Sequence, residues 1–209
     1  MDTLKPTATG PDGLPAWFLR LGAPAFSKIL ADLVNMSISQ SIVPRQWKLA
    51  RICPVPKKTG PTQPSDFRPI SVTAVLSRIA EKIIVRDFLY PAMDCPPPTL
   101  SFADQYAFRP SGSTSAALVA LLHTITQALE TNPYVVVIAL DFSKAFDTVR
   151  HSSVMEKAAQ LNLPNNVYNW LVNFLEGHSH FTRFNGHTSE VLEVNASICL
   201  LYTSDAADE

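Results

Sequence analysis

Cysteine is scarce in this 209-residue chain. Cys53, Cys95 and Cys199 form no CxxC pair and no even set, which argues against a disulfide scaffold and against a zinc ribbon. Long apolar runs are missing as well. The longest aliphatic stretch, Val135 to Leu140, falls far short of the roughly 18 residues a membrane helix needs. No basic-then-apolar opening marks a signal peptide. Charged residues make up only 17% of the chain, but hydrophobic residues make up 46%, a globular balance and not a disordered one. The length suits one domain, or a domain with part of a second, and allows a sizeable core. These features describe a soluble intracellular protein, with no signal choosing between nucleus and cytoplasm and nothing that points to an oligomer.

The net charge of −1 conceals an asymmetry. From Arg45 to Arg86 nine Lys/Arg residues face only Asp66 and Glu81, whereas residues 111–198 carry four basic and seven acidic groups. A basic lobe followed by a mildly acidic one suits a polyanion groove beside a carboxylate site. An ordinary solvated surface gives the same count, so charge alone leaves both readings open.

Along the chain, Phe26, Ile29, Leu30, Leu33 and Val34 repeat at helical spacing and predict a helix from about Ala23 to Ser39. Pro54, Pro56, Pro61, Pro64 and Pro69 forbid helix and predict an extended basic arm over 54–69. A second helix follows, with Leu76, Ile79, Ala80, Ile83, Ile84 and Phe88 on one face and Pro91 and Pro96–Pro98 ending it. A third opens near Ser113 or Thr114 and is expected to bury Leu118, Leu121, Leu122, Ile125 and Leu129. After the Asn132-Pro133 break, Tyr134–Leu140 reads as a strand buried on both faces. Ser153 and Glu156 have capping-box spacing for a short helix. Val167, Leu171, Phe174 and Leu175 predict one more helix, closed by Gly177. Phe181–Ile198 reads as a hairpin turning at Asn185-Gly186. The pattern is a mixed helix-and-sheet chain.

Asp141, at the end of the expected strand, is the chemically informative position. Ligand chemistry in α/β proteins gathers at the carboxyl ends of strands, and a hard carboxylate there suits Mg²⁺. A Walker B reading fails because no GxxxxGK[ST] precedes it. A phosphatase-type nucleophile would want a second Asp where Ser143 stands. An Asp that merely caps the next turn remains open on these residues alone. His178, His180 and His187 lack acidic or Cys companions at ligand spacing and are expected at the surface. Trp17, Trp47 and Trp170 are expected to serve packing.

Val135–Val149, VVVIALDFSKAFDTV, resembles motif A of the reverse transcriptases of non-LTR (LINE-type, jockey-like) retrotransposons. In family order, Gly10-Pro-Asp-Gly-Leu14 resembles the N-terminal motif. Trp47–Lys58 and Asp66-Phe-Arg-Pro-Ile-Ser71 resemble the fingers motifs, and Gln105–Pro110 with Ser113-Thr114 the block before the palm. The FSKAFDTV and FRPIS wording favours this family over group II intron maturases, telomerase and viral RNA polymerases. The resemblance implies an α/β (α+β) fold: right-hand polymerase fingers plus an incomplete palm. It divides the chain into an N-terminal motif and fingers (1–110), and a connecting helix with a partial palm (111–198).

The same resemblance implies roles. Asp141 corresponds to the first metal-binding aspartate of nucleotidyl transfer with two Mg²⁺ ions, and the backbone around Phe142 lies by the second metal or the triphosphate. Phe146 corresponds to the steric gate against a ribose 2′-OH, and Asp147 to a structural motif residue. Lys57 and Arg68 correspond to the fingers groups that close on the triphosphate. Lys48, Arg51, Lys58 and Arg109 are expected at the nucleic acid. The implied partners are an RNA template, a DNA primer and dNTPs, with no membrane.

The sequence also departs from the family. No Gln-Gly motif B and no Ala-Asp-Asp motif C occurs. Residues 199–209 instead resemble a translation of the adapter used in transposase-based sequencing libraries and are read as an artefact. Without their three acids the net charge becomes +2. One aspartate of the expected three cannot hold two metal ions, so this polypeptide is expected to be inactive. Two further readings are a non-catalytic nucleic-acid-binding remnant and the translation of an incomplete transcript. A motif A strand without its motif C partner leaves an apolar edge. The chain is therefore expected to express with poor solubility, and a monomeric, cooperatively unfolding product would contradict this.

Overall fold

In the computed structural model, residues 7–110, 112–142 and 148–194 are described. Phe146, Asp147 and the adapter-like residues 199–209 lie outside them.

Two helices open the fold, α1 (Ala16–Leu21) and α2 (Ala23–Gln40). On α2 the buried stripe is Leu30, Val34, Ser37 and Ile38, while Ile29 and Leu33 turn outward. Ser41 ends it in the left-handed conformation, φ 56°, its N–H returning to the Ile38 carbonyl. A 3₁₀ turn, Arg45–Lys48, carries Trp47 into the interior and leads into β1 (Leu49–Pro56).

The proline-rich arm is extended only at its two ends, in residues 54–56 and 67–69, and is folded back on itself. Pro64–Asp66 form a 3₁₀ turn that accepts Pro64 at its first position, against the expectation of extended chain throughout. β1 pairs antiparallel with β2 (Phe67–Val72), from Arg51 opposite Val72 to Pro56 opposite Phe67. Prolines survive here because each falls where no ladder amide is needed. Pro69 lies on the edge strand, and Pro54 and Pro56 lie beyond the stretch of β1, Leu49–Ile52, that pairs in parallel with β3 (Ser179–Phe184).

The helix α3 (Val75–Ile84) passes through a π turn, Val85–Leu89, into α4 (Tyr90–Asp94). Pro91 was expected to end it and does not. The wide turn, whose Tyr90 N–H reaches back to the Val85 carbonyl, places Pro91 in the first turn of α4, where its missing N–H costs nothing.

Helix α5 (Thr114–Thr131) starts as the sequence foretells, with the Ser113 hydroxyl accepting from the Ala116 N–H at 3.1 Å. Its expected apolar burial is not found. Leu118, Leu121, Leu122 and Leu129 are exposed, Ile125 is half-buried, and no residue of α5 is buried. Residues 134–142 likewise form no strand, and Val136 and Ile138 are each about three-quarters exposed. A β-branched run becomes a buried strand only against neighbours that accept its hydrogen bonds and cover its faces. The sheet described here offers 134–140 no such neighbour.

Helix α6 (His151–Ala158) begins two residues before the position Ser153 would cap. The Arg150 carbonyl already accepts the Ser153 and Val154 amides, so the first turn is closed upstream. Helix α7 (Asn165–Leu175) buries Val167 and Trp170 and gives way through Gly177, φ 64°, to β3. Asn185 and Gly186, both at positive φ, turn β3 back into β4 (His187–Thr188), as the Asn-Gly pair predicts. Short β5 (Leu192–Glu193) also pairs with β3.

The main core joins Leu30, Val34 and Ile38 of α2, Val43, Trp47, Ala80 and Ile84 of α3, and Val167 and Trp170 of α7. A satellite of Ala16, Leu19 and Val75 seats α1. Within the main core the Trp170 Nε1–H donates to Ser37 Oγ at 2.9 Å, and Ser37 passes its proton to the Ile42 carbonyl. Trp17, expected to pack, is instead 59% exposed and meets only the edge of Phe18 among the described rings.

Truncating Trp170 to Ala removes a 1%-exposed indole and is expected to cost about 3–5 kcal/mol. Leu122→Ala on the exposed face of α5 is expected to cost under about 1 kcal/mol. Urea unfolding followed by far-UV circular dichroism measures both.

Candidate nucleic-acid interface

The tip of the β1–β2 hairpin concentrates positive charge. Lys57 and Lys58 follow β1 directly and Arg68 stands on β2 opposite Val55. All three are exposed. What gives the tip a shape is Asp66, whose backbone and carboxylate serve the whole loop. Its Oδ1 pairs with Lys58 Nζ at 2.8 Å, and its Oδ2 accepts the Thr62 and Gln63 amides at 2.9 and 3.2 Å. Its carbonyl accepts the Lys57 N–H at 2.8 Å, while Lys57 Nζ donates to the Ser65 carbonyl at 3.0 Å. The Lys58 ammonium, with the Thr62 amide next, holds the Asp66 carboxyl below its ordinary range. Asp66 sits in the FRPIS block, yet its organising role was not read from the sequence. The signal available was Gln63 three residues before it, and these two form a reciprocal capping box.

The other expected contacts are dispersed. Lys48 ends the 3₁₀ turn and is half-buried, and burial pulls its ammonium below the usual lysine range, with Glu176 opposing. The Arg51 guanidinium turns inward and donates to the Thr9 carbonyl at 2.8 Å. Arg109 donates to the Phe102 carbonyl at 2.7 Å and pairs with Asp94 at 3.4 Å. Asp141 and Phe142 lie on the exposed segment 134–142, with Phe142 80% exposed. Among the described residues no three His, Cys, Asp or Glu side chains converge to hold a metal ion. No helix among the described residues is long and apolar enough to cross a membrane.

His178 corrects a sequence expectation. It is buried, 6% exposed, because Gly177 turns the chain so that its ring lies 5.4 Å from the Phe174 ring, itself stacked on Trp170. Burial holds its pKa below the ordinary value; a hydrogen bond to the Phe174 backbone opposes this, and His151, His180 and Lys48 push the same way as burial. A second buried group lies under the hairpin. Glu81 is 8% exposed and its Oε1 stands 2.7 Å from Ser77 Oγ, which is also 3.2 Å from the Trp47 carbonyl. Ser77 donates to the Glu81 carboxylate, which favours its charged form, but burial outweighs this and pushes the Glu81 carboxyl up to about 7.

Residues 55–196 match the family model described as reverse transcriptase (RNA-dependent DNA polymerase). The chain belongs to the reverse transcriptase family. It is similar to the RNA-directed DNA polymerase from mobile element jockey of Drosophila melanogaster, at 29% identity over 91% of this chain and 20% of that protein. It is also similar to the Pol polyprotein of a type-1 R2 element of Popillia japonica, at 29% identity over 82% of this chain and 22% of that protein. The probable RNA-directed DNA polymerase of the Drosophila X-element matches at 30% identity over 78% and 18%. The chain thus spans about a fifth of the length of these curated relatives. Within the family match lie the hairpin tip, Arg109 and Asp141; Lys48 and Arg51 precede it.

Glu81, whose folded pKa is about 7 against an ordinary 4.5, binds more proton in the folded state. It contributes stability that is complete below about pH 4.5 and is lost as pH rises through 7. Glu81→Gln is expected to raise stability at pH 8 by up to roughly 3 kcal/mol and to leave it little changed at pH 4. His178 has the opposite sense: its lowered pKa contributes stability present above about pH 6.5 and lost on acidification. His178→Phe is expected to flatten that acid limb. Urea titrations of both variants across pH 4–8 measure these slopes.

Proposed function

We propose that this chain is the fingers and part of the palm of a non-LTR-type RNA-directed DNA polymerase, and that its β1–β2 tip binds the phosphates of nucleic acid and incoming dNTP. The observation that carries this reading is the cluster of Lys57, Lys58 and Arg68 on one hairpin whose loop Asp66 holds in a fixed form. Arg68 is the strongest candidate for a forked phosphate contact. It is exposed on an edge strand, and Pro69 follows it directly. Lys57 supplies a point charge from a backbone-anchored position, and Lys58 a charge shared with Asp66. Lys48 adds a weaker, half-buried charge. Arg51 and Arg109 spend their guanidinium groups on carbonyls of the chain itself, so their contribution to nucleic acid is indirect.

In this reading Asp141 is one carboxylate ligand of a divalent ion, and Mg²⁺ is the ion its hard oxygen suits. Phe142 stands beside it and Phe146 selects the deoxy sugar. RNA template and DNA primer are the partners. With one such carboxylate among the described residues, the 209-residue chain is proposed to bind primer–template without extending it.

Anisotropy of a labelled RNA template–DNA primer against KCl concentration tests this. Binding is expected to weaken steeply with salt. Arg68→Ala is expected to lower affinity roughly tenfold at low salt, about 1.4 kcal/mol, and to make the log–log salt slope shallower by about 0.9. Binding that is flat with salt, or untouched by Arg68→Ala, refutes the interface. Primer extension by the unmodified chain with Mg²⁺ and dNTPs refutes the proposed inactivity.

A further inference from the structure

Arg51 and Arg78 come from different elements, β1 and α3, yet both reach the same short segment. Arg51 Nη2 donates to the Thr9 carbonyl at 2.8 Å, and Arg78 Nη2 donates to the neighbouring Ala8 carbonyl at 2.7 Å. Gly10 follows and lies flush on the junction between β2 and α3. A Cβ there would come 2.6 Å from both the Ala74 Cα and the Thr73 carbonyl oxygen, closer than any side chain is tolerated. Gly10 is itself buried. A tight turn then lifts the chain away, with the Gly13 N–H returning to the Gly10 carbonyl at 3.2 Å and Asp12 Oδ1 accepting the Leu14 N–H at 3.2 Å. Pro11 at the second turn position and Gly13, φ 72°, at the fourth suit such a turn.

We infer that residues Ala8–Leu14 are a strap, clamped through its backbone by Arg51 and Arg78 and seated by Gly10, that fixes the root of the β1–β2 hairpin. Arg51 and Arg78 are then positioning residues for Lys57 and Arg68 and do not contact phosphate. The geometry explains why both arginines are needed. Arg51 stands opposite Val72 at the open end of the hairpin, away from its loop, and Arg78 lies on the first turn of the helix that β2 runs into. One strap bonded to both ties the strand pair to α3. Asp12 on the turn, and Glu81 where it is ionised, oppose the desolvation of the Arg78 guanidinium in part. The strap is recognised by carbonyls and by the absence of a side chain, so it tolerates little change at Gly10 and much more at Ala8 and Thr9. This assignment rests on the hairpin-tip reading above for its consequence, but the clamp itself can be judged without it.

The test compares Gly10→Ala, Arg51→Gln/Arg78→Gln and Arg51→Lys/Arg78→Lys in the full chain by hydrogen exchange with mass spectrometry and by primer–template anisotropy against KCl. Tryptophan fluorescence of the buried Trp47 and Trp170 checks that the core persists. Gly10→Ala and the double Gln variant are expected to speed amide exchange at least about tenfold in peptides covering 8–14 and 49–72, because both lose the clamp. Primer–template affinity is expected to fall several-fold in both with the salt slope unchanged, since no phosphate contact has been removed. The double Lys variant, which keeps charge and a donor, is expected to recover part of the exchange protection. A salt slope shallower by about 0.9 per arginine with the strap still protected makes Arg51 and Arg78 direct phosphate ligands and overturns the assignment. A freed strap over an unchanged hairpin overturns the coupling. If the unmodified chain binds no nucleic acid, the hairpin-tip function fails while the exchange data still decide the clamp.

Discussion

The contact between Trp170 Nε1 and Ser37 Oγ joins residues 133 positions apart and sits where the architecture closes. An indole this deeply buried must satisfy its N–H or lose a hydrogen bond's worth of free energy. Ser37 does so and hands its own proton to the Ile42 carbonyl, which finishes the end of α2. That fixes α7 against α2, with the Val43 amide held by Asn173 at 2.9 Å and the Ser41 hydroxyl by the Asn166 carbonyl. Only with α7 in this place does the chain emerge at Ser179 beside Leu49, in register to pair β3 with β1. The hairpin that carries the cationic tip therefore inherits its position from packing in the main core, which Trp47 shares with Trp170.

Charge on that hairpin is organised in two layers of opposite character. At the exposed tip, Asp66 gives two lysines and a loop a common anchor, and its carboxylate stays ionised because its partners favour the charged form. On α3, the helix that β2 runs into, buried Glu81 faces a low-dielectric surround and is pushed toward the neutral form against the hydrogen bond it accepts from Ser77. The same residue class thus binds loop amides at one end and completes a core hydrogen-bond chain at the other. Solvent access decides between the two outcomes. Neither assignment follows from counting acids and bases along the chain.

Local signals were legible where the chain alone determines the outcome. The Ser113 cap, the Asn185-Gly186 turn, the bounds of α2 and the existence of α7 depend on neighbours within a few residues, and the sequence foretells them. The motif order, too, was readable before any fold was known. Signals that require a distant partner were not. The apolar faces of α5 and of 134–140 name residues fit for burial, but burial needs a covering surface, and none of the described elements supplies it. Pro91 reads as a helix end because the π turn that accommodates it is set by backbone spacing upstream. His178 reads as a surface residue because its burial comes from Phe174 and Trp170, whose rings meet it only after α7 packs.

Arginine shows the same division within one residue type. Arg51, Arg68, Arg78 and Arg109 are equal in charge, and all but Arg78 carried an expected polyanion role by position in the motifs. The structure separates them by what their guanidinium groups already hold. Three are committed to backbone carbonyls at 2.7–2.8 Å, which are neutral acceptors that fix a loop without cancelling charge. Arg68 stands exposed on an edge strand, its backbone constrained by the proline that follows. A guanidinium that binds a carbonyl keeps its positive field, so the inward-facing arginines still raise the potential over the hairpin. Field and contact are thus supplied by different residues. In the proposed interface the basic stretch from Arg45 to Arg86 holds its own fold together and keeps a positive field, because the two draw on separate properties of the same group.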